Sequence, residues 1–165
     1  MILVLEKRLD SRLTAIVSLI TESLFAFAGL LFIAFFVFYL TTFGLNFQEH
    51  AVITAVPTGF AGWTRLALSC LCTGYAEEGI FRKYLVGLFQ RLGASLSASI
   101  GFSTALFGVL HLWEGAAGVI NALISAIFLS FCYYRQKSLH SVSLAHGLYN
   151  FVVYALAAFK FDFGA

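Results

Sequence analysis

Charge is what this sequence has least of: charged residues fill 11% of its 165 positions, against roughly 25% in soluble domains. With 61% hydrophobic residues and a mean hydropathy of +0.92, that scarcity excludes an ordinary water-soluble domain and points to an integral membrane protein. The net charge of +2 is small and dispersed, which argues against nucleic acid as a partner. Proline occurs once, at Pro57, where with Gly59 and Gly62 it breaks a moderately apolar piece. Cysteine occurs three times, at Cys70, Cys72 and Cys132, always inside an apolar run. Cys70 and Cys72 are two positions apart and face different directions on a helix, so they form neither a disulfide nor a metal pair, and packing is their expected role. The chain also lacks internal repeats, low-complexity linkers and room for a second soluble domain.

What the chain has is apolar length. At ~20 residues per spanning helix, it accommodates about five or six crossings in one bundle. A flank with Lys7, Arg8 and Arg12 precedes a first apolar run over 18–40, in which Glu22 is expected near the membrane boundary. The run is too long for a signal-peptide core and no small-residue cleavage site follows, so it reads as a retained helix. Residues 41–62, with Asn46, Gln48, Glu49 and a solvated His50, read as a loop plus a short interfacial or re-entrant helix. Further spans are expected over 63–90, 94–112, 117–134 and 142–159. The fold class is therefore an all-α membrane protein, a compact bundle of about five transmembrane helices plus that short interfacial or re-entrant helix. Lys and Arg then place the N-terminus in the cytoplasm. Gly74, Gly87, Gly101, Gly108 and Gly118 are expected to let helices approach closely.

Against this apolar background stands Tyr75-Ala76-Glu77-Glu78-Gly79-Ile80-Phe81-Arg82. Ionisable groups at membrane depth are costly and are retained chiefly for function. On a helix, Glu78 and Arg82 are i and i+4, acid before base, the favourable order for pairing. Glu77 is left without a local partner and beside a second carboxylate, which suits a general base or acid. A purely structural ion-pair cluster is the alternative for this segment taken alone. Two further pairs share a helix face: Phe107 with His111, and His146 with Asn150. Each histidine alone is more often a satisfied core residue. Together, a carboxylate, two imidazoles and an amide on three helices are the parts needed for water-mediated acyl transfer.

The series Glu-Glu-x-x-x-Arg (Glu77, Glu78, Arg82), Phe-x-x-x-His (Phe107, His111) and His-x-x-x-Asn (His146, Asn150) resembles the CPBP intramembrane glutamic proteases. That family includes the Rce1-type CAAX prenyl endopeptidases and bacterial members linked to bacteriocin processing or immunity. The match spans about 63–159 and divides the chain into an N-terminal span with an interfacial segment, 1–62, and a catalytic helical core, 63–165. Lys83 departs from the glycine often found after the arginine. The resemblance implies that Glu77 and His111 activate water, that His146 and Asn150 supply the oxyanion pocket, and that Glu78 and Arg82 tune Glu77 while Phe107 shapes the site. It further implies a multi-pass protein of a prokaryotic cytoplasmic membrane, with a membrane protein or peptide as substrate and no cofactor. Prenylation of the substrate does not follow from it.

Zinc is the rival chemistry, since two Glu and two His are acceptable ligands. The chain has no His-Glu-x-x-His helix, and Arg82 beside the carboxylates would repel a dication, so metal independence is expected. The rival functions are a non-catalytic immunity or partner-binding protein and a proton or ion pathway. One geometric tension accompanies the single-site reading. At ~1.5 Å per residue, His111 lies about 20 Å along its helix while His146 is about 6 to 10 Å into its own.

Overall fold

Long apolar runs with few breakers fold as helices, because a backbone in lipid must satisfy its own hydrogen bonds. A computed structural model describes the backbone of residues 2–44 and 56–162 and the side chains of 11–44 and 56–159. The expected interfacial or re-entrant helix, with His50, falls largely outside the described residues. Among those described there are five helical rods and no strand. The first is α1 (Ile2–Tyr39), which ends in a π-helical turn, Leu40–Gly44. The second is continuous through α2 (Gly59–Glu78), a π-helical segment (Gly79–Leu85) and α3 (Val86–Arg91). Then follow α4 (Leu96–Leu110), α5 (Gly115–Gln136) and α6 (Leu139–Asp162).

Three helical stretches are long and apolar enough to cross a membrane, Ser11–Gly44, Leu112–Gln136 and Leu139–Phe159. The remaining two rods carry most of the motif. The rod through α2 and α3 is interrupted by Arg65 and by the acidic motif itself. With 15 residues, α4 reaches about 22 Å at ~1.5 Å per residue, short of a hydrocarbon core of about 30 Å.

Local chemistry sets the breaks. Gly93, at φ 94°, closes α3 in a Schellman arrangement: Ala94 N–H donates to Phe89 O and Gly93 N–H to Gln90 O, both at 3.0 Å. Ser95 then opens α4 by accepting a hydrogen bond from Ala98 N–H at 3.2 Å.

Two packing arrangements place the site. The first is the antiparallel contact of α2 with α6, in which Tyr75 meets His140 while Trp63 meets Phe151 and Phe159. It is close because Gly74 and Gly147 sit in it: a Cβ built on Gly74 would stand 2.7 Å from both Gly147 N and Ser143 O. Gly108 and Gly118 are also tight, whereas a Cβ on Gly101 would meet nothing within 4 Å and one on Gly87 only the end of Arg91. The second is an apolar cluster of Ala26 and Leu30 from α1, Leu129 and Cys132 from α5, and Val142, Ala145 and Tyr149 from α6. Glu22 belongs to this junction, held by Ser18 Oγ at 2.8 Å and by the fully buried Ser141 Oγ at 2.9 Å. It ties α1 to the start of α6, so hydroxyls of the fold, and not only water at a boundary, satisfy its carboxylate.

Candidate active site

The acidic motif lies where α2 passes into the π-helical segment. Glu78 is the last α-helical residue and Gly79 the first of the wider turn. Such insertions re-aim side chains and recur at functional sites. Two donors from neighbouring helices reinforce carbonyls of this segment: Ser103 Oγ–H donates to Phe81 O at 2.6 Å, and Tyr134 O–H to Arg82 O at 3.1 Å.

Glu78 and Arg82 pair as their spacing predicts, with Nε 3.0 Å from Oε2 and both side chains buried. The contact is an ion pair set off the line of a hydrogen bond, and Nη1 and Nη2 of Arg82 are buried without a hydrogen-bond partner among the described residues. The guanidinium carbon lies 4.8 Å from the centroid of the Phe107 ring, a cation–π contact that offsets part of its desolvation.

Glu78 has a second partner that spacing within one helix does not reveal. His146 Nδ1 lies 2.7 Å from Glu78 Oε1, and a carboxylate can only accept, so Nδ1–H is the donor. The other ring nitrogen, Nε2, is 3.6 Å from Glu77 Oε2. One imidazole of α6 therefore stands between the two adjacent carboxylates of α2. The side chain of Glu77 remains 28% exposed, whereas that of Glu78 is wholly covered.

His111 ends α4, and its Nδ1 is 2.8 Å from Phe107 O. A carbonyl also only accepts, so Nδ1–H donates and the neutral ring carries its lone pair on Nε2. The Phe107 ring is in contact with both histidines, its centroid 4.3 Å from that of His111 and 6.4 Å from that of His146. The axial offset expected between them is thus absorbed, because α4 is a short helix that delivers His111 from its C-terminal end. Both histidines and Asn150 line one cavity of about 280 Å³ between α1, α5, α6 and the C-terminal end of α4. No side-chain hydrogen bond engages Asn150 among the described residues, which leaves its amide available to the cavity. Among the same residues Glu77 makes no hydrogen bond or ion pair with His111; its histidine contact is His146.

Three cavity residues escaped the sequence reading. Asn121 of α5 donates from Nδ2 to the Tyr149 hydroxyl at 3.0 Å, and both line the cavity. A lone amide in an apolar span was a usable signal for Asn121. Glu114, in the connection that follows His111, has Oε1 4.0 Å from His111 Nε2. No group of three or more His, Cys, Asp or Glu side chains among the described residues is arranged to hold a metal ion.

Comparison with curated proteins and with solved structures finds no match. The family model described as type II CAAX prenyl endopeptidase Rce1-like matches residues 58–152. Those residues hold every member of the three motifs, from Glu77 to Asn150. By that match over more than half of its length, the chain belongs to the Rce1-like family of membrane endopeptidases.

Proposed function

We propose that this chain is an intramembrane endopeptidase of glutamic type, hydrolysing a peptide bond of a membrane-associated protein or peptide without a metal. What supports this is one arrangement: His146 held between Glu77 and Glu78, beside a cavity that His111 and Asn150 also line. The carboxylate of Glu77 and the Nε2 lone pair of His111 are the acceptors for a proton of water. The hydroxide oxygen bonds to the substrate carbonyl carbon as the water O–H breaks. Asn150 Nδ2–H and His146 Nε2–H are the donors for the resulting oxyanion, and a preorganised donor of this kind contributes roughly 3 to 4 kcal/mol in comparable sites. Collapse of the intermediate breaks the C–N bond, and the proton taken from water passes to the departing amine.

Glu78 and Arg82 carry no proton in this scheme. Their ion pair fixes Glu78, and Glu78 fixes the ring of His146 through Nδ1. A protonated His146 gives the group of Glu77, Glu78, Arg82 and His146 balanced charge, which suits a site with little water. Access from lipid has a route. A second hollow of about 230 Å³, lined by Ala34, Val37 and Phe38 of α1, shares Gly118, Asn121, Tyr149 and Val153 with the cavity. An apolar segment entering between α1, α5 and α6 would meet the histidines at its inner end.

The test is Glu77→Gln, which removes the acceptor charge and keeps the shape. Membrane proteomes of one host expressing the wild type or the variant are compared. Precursors cleaved only by the wild type are the expected result, with both proteins equally stable in detergent. Unchanged processing of every membrane protein by a stable Glu77→Gln would leave a non-catalytic binding protein in its place.

A further inference from the structure

We infer that Glu114 is a positioning residue for His111, holding a negative charge opposite the nitrogen that takes the proton from water. This rests on His111 acting as the base, as proposed above. Three features of the chain build the contact. The single 3₁₀ turn Leu112–Glu114 follows His111 directly, and Glu114 N–H donates to His111 O at 3.0 Å, which sets the two side chains on one side of the turn. Gly115, at φ 80°, then turns the chain sharply into α5. One turn into α5, Gly118 leaves the space that Glu114 fills: a Cβ there would stand 2.4 Å from Glu114 Cβ and 2.9 Å from its Oε2.

The tautomer of His111 gives the arrangement its direction. Nδ1–H is committed to Phe107 O, so the proton from water arrives on Nε2, and Nε2 is the atom 4.0 Å from Glu114 Oε1. That separation is too long for a hydrogen bond and short enough for Coulomb attraction at a partly covered site. Glu114 therefore gains attraction when the imidazolium forms, which favours the transition state more than the resting state. The other ionisable groups at the site are Glu77 on α2 and His146, Tyr149 and Tyr154 on α6, while Arg82 rests on the Phe107 ring. Glu77 makes no ion pair with His111 among the described residues, so Glu114 is the carboxylate nearest to it.

The experiment uses the purified full chain in detergent micelles, labelled with ¹⁵N-histidine, with the His111 signal assigned through His111→Gln. In the wild type the His111 imidazolium persists to higher pH than in Glu114→Gln, and the neutral ring is the Nδ1–H tautomer in both. Cleavage of a precursor found by the Glu77→Gln comparison falls roughly tenfold in kcat, equivalent to about 1.4 kcal/mol of barrier, with KM unchanged. Glu114→Asp, which keeps the charge, recovers part of the rate, and Gly118→Ala, which displaces the carboxylate, lowers it as Glu114→Gln does. An identical His111 titration in wild type and Glu114→Gln, or an unchanged kcat, overturns the inference. Normal cleavage by His111→Gln would instead overturn His111 as the base while leaving the titration result standing.

Discussion

Arg82 reaches one turn back to Glu78, Nε to Oε2 at 3.0 Å, and both side chains are closed off from solvent. Removing one partner of such a pair costs more than removing both, because a buried charge is left uncompensated, at about 3 to 5 kcal/mol. Arg82→Met and Glu78→Gln should each lower the detergent unfolding midpoint strongly, and the double variant should fall by less than the two combined. Additive losses in that cycle would mean that the pair contributes little and that His146 alone fixes Glu78.

The contact of Gly74 with Gly147 predicts a contrast between two small substitutions. Gly74→Ala pushes a methyl into backbone atoms of α6, which cannot swing aside, and overpacking of this kind costs about 1 to 3 kcal/mol. Gly101→Ala adds the same methyl where nothing lies within 4 Å, and an interior helix position gains up to about 1 kcal/mol from losing a glycine. Thermal unfolding of the two variants should therefore move in opposite directions. Cleavage should fall only in Gly74→Ala, because that contact sets the separation of His146 from the acidic pair.

The hydroxyls of Ser103 and Tyr134 bond to carbonyls of the π-helical segment that carries Arg82. Ser103→Ala and Tyr134→Phe each remove one hydrogen bond, worth about 0.5 to 1.5 kcal/mol. Their stability losses should lie in that range, with cleavage by the stable fraction of the protein kept. A collapse of cleavage without a matching stability loss would show instead that the wide turn itself aims the carboxylates.

Helix content and most helix bounds were legible because apolar runs and glycine breaks are local; α1, expected over 18–40, begins instead at Ile2, because the polar flank before the apolar run has no breaker and continues the helix. The Glu78–Arg82 pair was legible for the same reason, since spacing within one helix settles which side chains share a face. What joins helices was not. The bridge of His146 between Glu77 and Glu78 depends on how α6 is rotated against α2, and that rotation follows from the packing of Gly74 on Gly147. The wide turn at Gly79 leaves no compositional trace, since its residues would suit an ordinary α-helix. Glu114 follows the end of α4, and that a 3₁₀ turn, and not a loop, carries it back to His111 Nε2 is not written in the spacing. The resemblance assigns Glu77 and His111 a shared role toward water and says nothing of the contact of Glu77 with His146, which only the packing of α6 on α2 supplies.

The donor set also argues about metals. A dication at the acidic motif would need carboxylate oxygens and imidazole nitrogens free to converge, yet Glu78 Oε1 accepts from His146 Nδ1 and Glu78 Oε2 faces Arg82. His111 Nδ1 is engaged by the Phe107 carbonyl and, in the proposed scheme, His146 Nε2 carries a hydrogen, which leaves only Glu77 and His111 Nε2 with free lone pairs at the motif. The buried guanidinium of Arg82 adds a fixed positive charge on the same helix face, and bringing two more positive charges close to it in a medium of low dielectric is unfavourable. Cleavage of an identified precursor should therefore survive exhaustive chelation and dialysis at full rate. A loss of cleavage on chelation that a single added metal restores, with the fold intact throughout, would replace the glutamic mechanism with a metal-assisted one.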